Sequence, residues 1–142
     1  MTTAMWIVFG VLALVGLLTN SLLHECAHAL VFAICGGQIV EFKPWPHIKD
    51  NKKWCFGRVR YYIPPDSKVT KGQWMLIHSA PAIKGLLLSA VWFCLMFWVY
   101  PPFMALLLWQ LMDVFWFLIG YSFFQSSDGG KFRKLVGGHA SR

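Results

Sequence analysis

Residues 4–35 read AMWIVFGVLALVGLLTNSLLHECAHALVFAIC, an apolar run broken only by Thr19, Asn20 and Ser21 and by the polar residues of 24–28. A helix needs ~20 apolar residues to cross ~30 Å of hydrocarbon, so a run of this length must tilt, kink or protrude. Gly36-Gly37 follows it, and glycine just past the last apolar turn is a helix stop. No Lys or Arg precedes the run, which continues past Asn20 to Cys35. It is therefore expected to stay in place as a span rather than leave as a signal peptide. Two further runs, about 74–99 and about 103–124, are also long enough to cross, and only Tyr100-Pro101-Pro102 joins them. The expectation is an all-α membrane protein: one domain, 1–142, with three transmembrane helices.

The polar segment of about 37–73 breaks the helical pattern. Gln38–Trp45 and Trp54–Ile63 are rich in strand formers, and Pro46–Lys53 carries turn chemistry. A small cytosolic β-hairpin between the first and second spans is expected here, ended by Pro64-Pro65.

The chain is 57% hydrophobic and 13% charged, about half the charge of an ordinary soluble domain. Its net charge of +7 is not spread evenly. Eight of the thirteen Lys and Arg lie between Lys43 and Lys71, and four more are Lys131, Arg133, Lys134 and Arg142. Basic residues gathered beside apolar spans orient a membrane protein and meet anionic lipid. No nucleic-acid-binding motif accompanies them, so nucleic acid is not expected as a partner. Two crossings separate the basic loop from the basic C-terminus, so both are expected in the cytosol, with the N-terminus outside. The compactness suggests a bacterial inner membrane. The four cysteines form no CxxC pair and are expected to be buried thiols rather than disulfides.

Within the first run, His24-Glu25-Cys26-Ala27-His28 has the form H-E-x-x-H. Positions four apart share a helix face, so two imidazoles can grip one Zn²⁺. The intervening Glu25 can take a proton from a water that the ion acidifies. Ionisable groups inside a span are costly and point to function. A third ligand must come from elsewhere. Asp128, in Ser127-Asp128-Gly129-Gly130, could be brought back toward the metal by bending at the glycine pair. Depth along straight helices favours Asp113 instead. His78 is a third candidate, though it reads first as a polar residue between helices, and His47 and His139 read as solvated. Lys84, inside the second span, is either a snorkelling lysine or an electrostatic catalyst.

These residues resemble the site-2 protease family of intramembrane zinc metalloproteases, whose first core helix carries HExxH and whose third carries an Asp-Gly motif. Ser79-Ala80-Pro81-Ala82-Ile83-Lys84 is similar to the family's small-Gly-Pro-x-x-Asn motif, with Lys84 in place of Asn. Gly37-Gln38-Ile39-Val40-Glu41-Phe42 looks like its first strand. The resemblance implies zinc held by His24, His28 and Asp128, with Glu25 as general base. It implies Lys84 in the place of a group that holds substrate or oxyanion. Asp113 is then a partner to a ligating histidine, or the third ligand itself. The implied substrate is a membrane protein or peptide, met by a strand edge of the hairpin; alternatively the hairpin simply caps the site. A homo-oligomer could complete the wall around it. Two other functions fit the same residues: an inactive membrane-binding or sorting protein, and a zinc-dependent lipid hydrolase.

Overall fold

The computed structural model describes residues 2–48, 54–55, 57–64 and 68–137. Helix α1 spans Thr3–Ile34. Strands β1 (Gln38–Lys43), β2 (His47–Ile48), β3 (Trp54–Cys55) and β4 (Arg58–Tyr62) follow, then helix α2 (Lys71–Trp98). A single 3-10 turn at Pro101–Phe103 leads into α3 (Met104–Phe123), and a short α4 (Asp128–Val136) closes the order. Among the described residues, α1, α2 and the segment Pro101–Phe123 are long and apolar enough to cross a membrane.

Local chemistry sets the ends. Thr70 caps α2 reciprocally with Gln73: its hydroxyl accepts from the Gln73 N–H, and its own N–H donates to the Gln73 side chain. Gly36, at φ +83°, terminates α1 in the left-handed conformation that glycine adopts without strain. β1 pairs antiparallel with β4, with a register shift between Ile39 and Glu41, and β2 pairs with β3. The hairpin thus extends further than its strand-forming runs indicated, because His47–Ile48 lies in a ladder rather than in the linker. The expected turn around 49–53, Pro65 and His139 fall outside the described residues. Glu41 joins the strands through Arg58 and Arg60 of β4 at 3.7 and 3.6 Å, with Lys43 of its own strand at 2.7 Å. The hydrogen bond from Lys43, reinforced by those charges, holds the Glu41 carboxyl below its usual range.

The packing is inverted relative to a water-soluble bundle. Leu14, Leu30, Ile34 and Trp98 are 63–87% exposed. Asn20, Glu25, His28, Ser89, Gln110 and Asp113 are buried. An apolar exterior on this scale requires a non-aqueous cover. Small residues let the helices approach: a side chain at Gly85 would strike the Gln110 carbonyl at 2.7 Å. Cys26 and Cys94 lie on the outer faces and Cys35 is half-buried. This corrects the expectation of thiols buried in protein: most helical positions of so small a bundle face outward. Trp74 points inward. It packs on Phe32, which also stacks on Tyr61 of β4 at 4.1 Å. These rings seat the hairpin on the helices.

Candidate metal centre

The position of Asp128 depends on how α3 ends. At 1.5 Å per residue the 32-residue α1 and 28-residue α2 are ~48 and ~42 Å long, while the 20-residue α3 is only ~30 Å. α3 stays helical through Phe123, and the chain then reverses over 124–127 and folds back along it. Side chains at Gly129 and Gly130 would run into backbone atoms of Phe117, Tyr121 and Phe124. The glycine pair therefore serves close approach. Neither glycine has a positive φ, so the backbone bending expected of them is not what brings Asp128 inward. Asp128 opens α4, whose first turn is capped by the Ser127 hydroxyl accepting from the Gly130 N–H.

Both histidines of the α1 motif have one ring nitrogen already engaged. The carbonyl of Ile77 lies 2.8 Å from His28 Nδ1. A carbonyl can only accept, so Nδ1 carries the proton and the lone pair is on Nε2. Asp113 Oδ1 lies 3.0 Å from His24 Nδ1 and orients that ring in the same sense. The remaining Nε2 atoms of His28 and His24 stand 3.1 and 3.7 Å from Asp128 Oδ2. The other Asp128 oxygen, Oδ1, faces His78 Nδ1 at 3.3 Å and Lys131 Nζ at 3.8 Å.

Three electron-pair donors thus converge with no proton assigned among them. A tetrahedral ion with bonds of 2.0–2.1 Å spaces its ligands by ~3.3 Å, close to the separations observed here. The ligand atoms of His24, His28 and Asp128 lie within 4.8 Å of one another. The donor set fits a metal ion. Asp113 bridges to His24 and lies outside that set.

Lys84, which the sequence left between snorkelling and electrostatic catalysis, points into the bundle. Its ammonium donates to Asp113 Oδ2, to Asn20 Oδ1 at 2.9 Å and to Gln110 Oε1 at 3.1 Å. Three acceptors match its three protons. It connects to the centre through Asp113, whose other oxygen lies against His24 Nδ1.

Glu25 is buried beside the two histidines and lines a cavity of about 240 Å³ shared with Gly57, Arg58, Tyr61, His78 and Lys131. A Cβ at Gly57 would come within 2.6 Å of Glu25 Cγ, so only glycine lets the chain lie on that carboxylate. Burial, and then the negative charges of Asp128 and Glu25, push the Tyr61 phenol up and keep it neutral. A second, apolar cavity of about 150 Å³ adjoins His24 and Asp128 and is lined by Pro81, Ala82, Trp116, Phe117 and Phe124.

His78, a candidate third ligand in the sequence that reads first as a polar residue between helices, contacts this centre through Asp128 Oδ1. Asn20 and Gln110 could have been flagged as amides inside apolar runs. No protein-family model, curated protein or solved structure matches the chain.

Proposed function

We propose that the protein is a zinc-dependent intramembrane endopeptidase similar to the site-2 protease family. The observation that carries this reading is the convergence of His24 Nε2, His28 Nε2 and Asp128 Oδ2 beside the buried Glu25 carboxylate. Zinc held there would supply a bound water that ionises near neutral pH and so can attack an amide. Glu25 accepts the proton of the attacking water and delivers it to the leaving amine. His78 fixes the Asp128 carboxylate so that Oδ2, not Oδ1, faces the histidines. The Lys84–Asp113 pair fixes His24.

The substrate is a transmembrane or membrane-adjacent peptide segment. The hairpin lies over the polar cavity, where β4 can receive an extended chain along its outer edge. The apolar cavity matches in volume an engineered cavity that holds benzene, so it suits a phenylalanine or leucine side chain next to the cut. The hairpin and α4 line one cavity and share one end of the bundle. Their basic residues orient that end to the cytosol and the N-terminus outside, as in a bacterial inner membrane.

The test is a peptide-cleavage assay on detergent-purified chain of known zinc content. Glu25→Gln is expected to keep about one zinc and lose 10²–10⁴-fold in turnover. A peptide with Phe beside the cut should be cleaved faster than its Gly counterpart. A zinc-loaded chain whose Glu25→Gln variant behaves as wild type in every respect would instead be a binding or sorting protein. Hydrolysis of lipid esters but not peptides would favour the lipid hydrolase.

A further inference from the structure

α2 carries a proline in its interior and remains helical from Lys71 to Trp98. In an α-helix the N–H of residue 81 would bond the carbonyl of residue 77. Pro81 has no N–H, and its ring crowds the carbonyl four residues back. That carbonyl belongs to Ile77, a fully buried residue where water cannot serve as a substitute donor. A buried carbonyl without a partner is costly. Here the partner comes from another helix: the Ile77 oxygen is the atom 2.8 Å from His28 Nδ1.

We infer that Pro81 is a positioning residue for the metal centre. By withholding a donor from Ile77 it presents that carbonyl to His28, which fixes the His28 tautomer with its lone pair on Nε2. The inference rests on the metal-centre reading for its consequence, but the tautomer itself requires no metal. It also gives a reason for a proline at a costly place. A proline that only bent the helix could sit one or two positions away. Only position 81 frees the oxygen that His28 uses.

Restoring an N–H at 81 makes two donors compete for one oxygen. Two readouts are taken on the full chain in detergent. One is the nitrogen NMR signals of ¹⁵N-histidine-labelled, metal-free protein, which report which ring nitrogen of His28 is protonated. The other is zinc affinity, titrated with Zn²⁺ alone against a chelator. Pro81→Ala is expected to raise thermal stability or leave it unchanged, since an interior proline has been removed. It should nevertheless give His28 a mixed tautomer and weaken zinc binding by about 10–100-fold, the usual loss when a group orienting a ligand is removed. An α-hydroxy acid at position 81, which lacks both ring and N–H, should keep the wild-type histidine signals and zinc affinity.

Wild-type His28 signals and zinc affinity in Pro81→Ala would overturn the inference, leaving Pro81 as a bend. If Pro81→Ala does not fold, the ester variant decides: wild-type signals support the role, and mixed signals refute it. If the wild-type chain takes no zinc, the proposed function fails, while the His28 signals still decide the role of Pro81.

Discussion

Two polar clusters lie inside the bundle, joined by one hydrogen bond between His24 and Asp113. Around Lys84 the donors and acceptors match: one ammonium meets Asp113, Asn20 and Gln110, drawn from all three long helices. Around Asp128 they do not, because two imidazole lone pairs and a carboxylate oxygen point at one another. A saturated buried network fixes a structure, and an excess of acceptors calls for a cation. The difference separates the part that holds the helices in register from the part that could hold a metal ion.

Substitutions break that contrast in a definite order. Asp128→Ala removes one of three ligand atoms and should abolish zinc retention through purification, read by elemental analysis, with the fold intact. Retention of stoichiometric zinc would move the third ligand to Asp113. Lys84→Met leaves the Asp113 carboxylate buried without its cation and should destabilise the chain by about 3–5 kcal/mol in detergent unfolding. Lys84→Met combined with Asp113→Leu should recover part of that loss; no recovery would mean that the lysine is not there for the carboxylate. Asp113→Asn keeps the shape and should weaken zinc binding by about 10–100-fold without abolishing it. Complete loss would erase the distinction between the clusters.

The helical architecture was legible because three runs exceed any length a small soluble core needs, and the hairpin because strand formers flank turn chemistry. His24, Glu25 and His28 were legible because a spacing of four fixes a shared helix face without tertiary information. Asp128 was harder. Its depth depends on where α3 stops and on the chain doubling back, and straight-helix reckoning therefore leaned toward Asp113. The glycines beside it were visible, but their use for close approach rather than for bending became clear only with Phe117, Tyr121 and Phe124 in place. His78 and Lys84 were ambiguous because a polar side chain in an apolar run is explained only by its partners, and theirs lie 26 to 64 residues away. Pro81 looked like a motif residue, and its effect on Ile77 emerges only once His28 stands opposite.

The return of the chain at 124–127 bears on the order of biosynthesis. His28 and Asp128 are 100 residues apart, and α1 is made first. A nascent chain that has inserted α1, the hairpin and α2 already holds both imidazoles and Glu25, yet lacks the carboxylate that joins them. At ~5–20 residues per second, the 100 residues from His28 to Asp128 take on the order of 5–20 s to add. On the proposed function, the growing polypeptide is inert toward its membrane neighbours throughout that time, and the addition of Asp128 is the event that arms it.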